Sequence, residues 1–175
     1  DYAVLLARAL DRLGRSLTAH VATGEAAAAA KPASKFRPKV VYRGLALDPG
    51  RVYSVAVLPF FNVTARRNAG DVLALLFMRH LAAAGPFRVL DRGDVRQQLL
   101  QARVIMGGGG ISIPDAEAVA STLEADFVVA GRVLYYDDYE GPEGQTRVDF
   151  STVVIERASR RVVWSSHSYN DGHDG

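Results

Sequence analysis

The sequence predicts an α/β fold in which helices pack against a mixed sheet. Residues 52–58 are an apolar, β-branched run that Pro59 halts, which is typical of a buried strand. Residues 69–84 form an apolar helical run, and a second short strand is predicted from Phe87 to Asp91 after a Gly-Pro break. A strand, a helix and a strand in this order form a unit of α/β folds.

The helix predicted over residues 69–84 is apolar around most of its circumference. Its large apolar residues are Val72, Leu73, Leu75, Leu76, Phe77, Met78 and Leu81. This pattern is typical of a helix that is buried on more than one side. We therefore expect it to lie between the sheet and a second layer.

Two shorter helices are predicted after the second strand. The first opens at Asp91 or Asp94, because either carboxylate can accept the free backbone N–H groups of a first turn. The second begins near Ser112, which forms a pattern similar to a capping box with Asp115. Pro114 falls in the first turn, where its missing N–H costs nothing.

Three strands complete the predicted order, β-α-β-α-α-β-β-β. The first starts at Phe127 and is apolar on both faces at its start, which is typical of a strand buried on both sides. Turn residues at 140–144 and 157–160 separate it from two strands of alternating polarity. We expect these three strands to form a meander.

The domain predicted at 40–175 follows two different segments. Residues 1–22 form a predicted amphipathic helix with an apolar stripe of Leu6, Leu10, Leu13 and Leu17. Residues 23–39 are an Ala-rich, basic linker, which Pro32 and Pro38 keep from forming one continuous helix. The helix is expected to pack on the domain, to bind a partner or a second copy, or to lie on a membrane surface.

Composition excludes several classes of function. The 175 residues are 49% hydrophobic but contain no run near the ~18 apolar residues of a membrane span. The 21 basic and 19 acidic residues are spread along the chain, which does not favour nucleic-acid binding. Without cysteine there are no disulfides and no thiolate metal sites. Because the first residue is Asp1, we expect that an upstream signal or anchor has been removed.

The run Gly107–Gly110 precedes a helix and invites a phosphate-binding interpretation, since helix N-termini attract anions. A phosphate loop requires a following Lys, and a nucleotide-binding turn follows a strand; this run does neither. A flexible helix–helix connector is the favoured interpretation. The four histidines also lack the spacing of a metal site, and no paired catalytic groups appear. We expect no cofactor, no metal and no enzymatic activity.

Aromatic residues near the last strands are candidates for protein binding. Trp164 fills either the core or an interface. Tyr135, Tyr136 and Tyr139 are candidates for an aromatic patch near the predicted hairpin. With the leucines of the first helix, they form the predicted set of protein-binding residues.

Four segments resemble the TolB amino-terminal-like group of bacterial envelope proteins, which includes CsgG-type and LpoB-type lipoproteins. They are residues 55–62 (VAVLPFFN), 87–92 (FRVLDR), 125–131 (ADFVVAG) and 161–165 (RVVWS). The resemblance implies a periplasmic protein, tethered to the outer membrane by a lipid, that binds other proteins or assembles oligomers. Residues 139–146 are too short and polar for the membrane-inserting hairpin of the CsgG type. The 175 residues also contain no cysteine that could carry a lipid.

Together these observations favour a non-enzymatic periplasmic adaptor or assembly protein that binds envelope proteins of cell-wall synthesis, secretion or motility. Two alternatives stay open. One is a subunit of an oligomeric outer-membrane secretion complex. The other is a nucleotide- or phosphate-binding domain that uses Gly107–Gly110.

Overall fold

A computed structural model describes residues 39–44, 47–106, 109–137 and 147–170. The predicted helix over residues 1–22 and nearly all of the predicted linker lie outside these ranges. The turn predicted at 140–144 does too.

The described part of the chain contains seven strands and three α-helices. The strands are β1 (Lys39–Arg43), β2 (Tyr53–Val57), β3 (Phe61–Asn62), β4 (Phe87–Val89), β5 (Phe127–Asp137), β6 (Arg147–Glu156) and β7 (Arg161–Asn170). The helices are α1 (Ala69–Ala83), α2 (Arg92–Gln101) and α3 (Ile113–Val119), the last followed by a 3₁₀ turn. The predicted order is confirmed from β2 to β7, and the structure adds β1 and the two-residue β3.

All seven strands belong to one mixed sheet, in the order β1-β7-β6-β5-β2-β4, with β3 pairing β5 beyond the end of β2. β2 lies between β4 and β5 and is parallel to both. The chain leaves β2 through α1 to reach β4, then returns through α2 and α3 to β5 on the other side. The strand order therefore reverses at the carboxyl end of β2, a position where open α/β sheets bind ligands.

The sheet carries a hydrophobic core on each face. On one face α1 contributes Leu73, Phe77 and Leu81. On the other, Leu99 of α2 and Ala116 of α3 pack with Leu58, Val128 and Ile155. The predicted α/β fold class, a mixed sheet with helices packed against it, is confirmed.

One expectation about α1 is wrong. The helix buries Leu73, Ala74 and Phe77 against the sheet, but Val72 is 37% exposed and Leu75 is 48% exposed. Within the described ranges no second layer covers that side of the helix. None of the helices in these ranges combines the length and hydropathy of a membrane span.

Candidate protein-binding site

A groove opens between α1 and α2 at the carboxyl ends of β2 and β4, with a volume of about 240 Å³. Its walls are mainly apolar and its mouth carries charge. The apolar wall residues are Ala74, Leu75, Met78, Val95, Leu99 and Met106, and the charged ones are Asp71, Arg92 and Arg96. We call this feature the α1–α2 groove.

Local sequence explains why the two helices meet there. β4 is only three residues long, and two residues later Asp91 caps α2 by accepting a hydrogen bond from the Gly93 backbone N–H at 2.7 Å. The first residue of α2, Arg92, then donates a hydrogen bond to the carboxylate of Asp71 in the first turn of α1. This ion pair joins the amino ends of the two helices across the mouth of the groove.

Large apolar side chains are exposed at the groove and in the loop next to it. Leu75 is 48% exposed, and Ile105, the neighbour of the wall residue Met106, is 90% exposed. A lone exposed apolar residue is ordinary, whereas apolar residues beside a polar rim mark interaction sites. The arrangement suits the burial of an apolar side chain from another molecule.

The charged residues at the groove differ in whether they form an ion pair. Arg92 and Asp71 pair with each other. Arg96 is exposed and makes no hydrogen bond or ion pair within the described ranges. Among the described residues of the groove, Arg96 is therefore the cation available to a partner, and it lies beside an apolar wall.

The end of β2 itself is filled by Phe60, whose side chain is fully buried. Three glycines surround it. A Cβ added at Gly70 or Gly110 would lie 2.0 or 2.2 Å from the Phe60 carbonyl oxygen, and one added at Gly131 would lie 2.4 Å from the Phe60 ring. Gly110 also precedes Ile111, whose N–H donates to the Pro59 carbonyl at 3.1 Å.

This packing gives the last member of the glycine run a structural role, because no side chain fits at Gly110. Gly107 and Gly108 lie outside the described ranges. The helix that follows, α3, has only seven residues. Phosphate binding by this loop stays a prediction.

At the opposite end of the sheet, Asp126 joins the loop before β5 to the start of β2. Its carboxylate accepts hydrogen bonds from the Ser54 N–H at 2.8 Å, the Ser54 hydroxyl at 3.0 Å and Arg51 at 3.2 Å. Burial favours a higher pKa for Asp126, but the Ser54 hydrogen bonds and the Arg51 charge outweigh burial and lower the pKa. The cluster is best understood as a connection between two strands.

The predicted protein-binding residues are dispersed. Tyr135 is 41% exposed beneath the Arg147 guanidinium, 4.8 Å from the ring centroid, whereas Tyr136 packs against the α1-side core. Trp164 is 3% exposed and belongs to the same core. The remaining residues of the set, Leu6, Leu10, Leu13, Leu17 and Tyr139, lie outside the described ranges.

Sequence reasoning did not identify the groove. The available signal was the apolar excess of α1: Val72 and Leu75 fall outside the stripe that packs on the sheet. From sequence alone, that excess predicts burial between two layers. The exposure of Ile105, in the loop after α2, had no sequence signal.

No protein-family model and no curated protein sequence matches the chain. Solved structures do match. PelC from Paraburkholderia phytofirmans, solved as a dodecamer, is 21% identical, with 81% of this chain and 85% of PelC covered and a TM-score of 0.53. Lipoprotein GNA1162 from Neisseria meningitidis is 18% identical, with 67% and 79% covered and a TM-score of 0.53. LpoB from E. coli aligns at 12% identity over 85% and 78%, with a TM-score of 0.49.

The first two structures share the fold of this chain. The resemblance to a group that includes envelope lipoproteins, suggested by the four sequence segments, is thereby confirmed at the level of the fold.

Proposed function

We propose that the protein is a non-enzymatic adaptor or assembly protein of the bacterial envelope, and that it binds a partner protein in the α1–α2 groove. The observation that carries the proposal is the apolar groove, with Leu75 exposed on its wall and Ile105 exposed in the loop beside the wall residue Met106. A periplasmic location, with a tether to the outer membrane, is the compartment that the sequence resemblance implies. The fold shared with a lipoprotein supports this assignment.

The groove suggests the chemistry of the partner. Its wall takes an apolar side chain, whose full burial stabilises a complex by roughly 1.5–3 kcal/mol before association costs. Arg96 pairs best with an acidic residue next to that side chain. We therefore expect the bound segment to combine an apolar anchor with a carboxylate.

The first prediction concerns Leu75. A photo-crosslinking amino acid at Leu75 or Ile105, in the protein expressed in its own cells, should give a discrete adduct with an envelope protein. The same group at Val52, which is 64% exposed but precedes β2 at the other end of the strand, is the matched control. We expect no such adduct there, and mass spectrometry identifies the partner.

A substitution then tests the contact itself. In a chain with the crosslinker at Ile105, Leu75→Asp should remove the adduct, because it places a charge on the apolar wall, while Val52→Asp should leave it intact. Equal adducts at all three positions, or recovery of the mature protein in the cytosol, would contradict the proposal.

A second candidate function is a subunit of an oligomeric secretion complex. The observation that favours it is the fold shared with PelC, which was solved as a dodecamer. In the same experiment, an adduct between two copies of this chain through Leu75 would support this alternative over the adaptor. Phosphate or nucleotide binding at Gly107–Gly110 is not favoured, because Gly110 packs against Phe60.

A further inference from the structure

β6 and β7 present a distinctive surface on the α1 side of the sheet. It consists of Phe150, Thr152 and Val154 on β6 and, directly opposite them, Ser168, Ser166 and Trp164 on β7. We call this surface the β6–β7 face. Ser168 lies opposite Phe150, and Ser166 follows Trp164 on the same face of β7.

This face is covered, although the described helices lie elsewhere. Trp164 is 3% exposed, Ser166 2% and Ser168 1%. Helix α1 packs along β2 to β5 and meets this half of the sheet where the Phe77 ring contacts Phe150 edge-on, at 6.2 Å between centroids. The helices of the described ranges therefore do not account for the burial along β7.

The polar groups of this face are three hydroxyls. The buried hydroxyls of Thr152, Ser166 and Ser168 have no hydrogen-bond partner. The other three side chains of the face, Phe150, Val154 and Trp164, are apolar, so an apolar surface packs well against it.

We propose that residues 1–22 cover the β6–β7 face of the same chain, with Leu10 and Leu13 of the apolar stripe against Trp164, Ser166 and Ser168. Large leucines opposite small serines give the alternation of sizes that close packing favours. The cover stabilises the amphipathic segment, which is marginal in water as an isolated helix.

Chain connectivity places the segment beside this face. β1 is the neighbour of β7, and its first residue, Lys39, pairs with His167. Residues 23–38 join the segment to β1 and span at most about 53–58 Å when fully extended. The face thus lies within reach of residues 1–22.

Trp164 reports directly on this packing, because it is the only tryptophan of the chain. In the full chain, Leu10→Asp and Leu13→Asp should shift its emission to the red and increase its quenching by acrylamide. Arg8→Asp, on the polar side of the same predicted helix, is the matched control and should leave both unchanged. An unchanged spectrum in both leucine variants would overturn the proposal.

A second measurement covers the case in which the leucine variants unfold the domain. The chain has no cysteine, so Leu10→Cys with Ser168→Cys introduces the only pair. Mild oxidation should join this pair within one chain, and should not join Arg8→Cys with Ser168→Cys. A bond that forms only between two chains, or no bond in either pair, would overturn the proposal. Neither readout depends on the α1–α2 groove, so this test and that of the proposed function fail separately.

Discussion

At the scale of single residues, Phe60 determines which side chains are allowed at three distant positions. Gly70 opens α1, Gly110 precedes α3 and Gly131 lies within β5, yet each contacts Phe60 where a Cβ has no room. In a one-dimensional sequence these glycines look unrelated, and one of them belongs to a run that suggests a phosphate loop. Their shared cause is the close packing of one aromatic residue at the end of β2.

We predict that Gly131→Ala destabilises the protein by about 3 kcal/mol, the upper part of the range for overpacked cores. The new methyl group would lie 2.4 Å from the Phe60 ring and 2.6 Å from the Ser151 carbonyl oxygen. Urea unfolding measures the change. Gly93→Ala is the control, because its methyl group meets only the Asp91 side chain, at 2.9 Å.

The double variant Phe60→Leu with Gly131→Ala tests whether the Phe60 ring causes this destabilisation. Phe60→Leu removes the ring but leaves the Ser151 carbonyl in place, so the cost of Gly131→Ala should fall in that background without vanishing. An equal cost in both backgrounds would show that the ring is not the obstacle.

The Asp126 cluster predicts a pH dependence of stability. Because folding lowers the pKa of Asp126, its ionised form stabilises the folded state at pH values above the ordinary pKa of 3.8. That contribution is lost as the pH falls below 3.8 and through the folded pKa. Asp126→Asn should therefore cost about 1 kcal/mol at pH 7, a small value for a charged hydrogen bond because the side chain is 36% exposed.

The measurement is urea unfolding of wild type and variant at pH 7, 5 and 3. The difference in free energy of unfolding should persist at pH 5 and shrink at pH 3. Glu117→Gln, an exposed position on α3, is the control and should follow the wild type throughout. A difference in free energy of unfolding between wild type and Asp126→Asn that stays constant down to pH 3 would contradict the assigned role of the carboxylate.

At the scale of elements, local chemistry predicts the start of a helix well. Asp91 and Ser112 cap α2 and α3 as the sequence indicates, since capping depends on residues two or three positions apart. The strands β2, β5, β6 and β7 are likewise predicted, because their polarity patterns are long. β1 and β3 are not predicted, since β3 has two residues and β1 forms only through its pairing with β7.

The side of α1 that contacts the sheet is less predictable than the helix itself. Leu73 and Phe77 are as apolar as Val72 and Leu75. Which pair is buried depends only on the direction in which the sheet lies from the helix. The α1–α2 groove follows from that direction and from the shortness of β4. For this reason the candidate site could not be located from composition or periodicity, whereas the fold could be suggested from four short segments.

At the scale of the whole molecule, the sheet formed by the described residues ends in two short strands, which suits a monomer. β4 has three residues and β1 has five. Short edge strands disfavour pairing between the sheets of two molecules. Known stable interfaces bury at least about 1,000 Å², which requires a surface much larger than either edge.

We therefore predict that the purified 175-residue chain, without its partner, keeps a mass near 18.9 kDa in light scattering as its concentration rises.

If the measured mass instead increases with concentration, two variants identify the surface that joins the chains. A larger mass that Leu75→Asp abolishes would mean that the groove receives a second copy, and the oligomeric-complex alternative would replace the adaptor. A larger mass that Leu10→Asp abolishes would place the contact on the amino-terminal segment, because that segment would then bridge two chains instead of covering its own β6–β7 face. A larger mass that persists in both variants would point to the sheet edges and contradict the argument from β1 and β4.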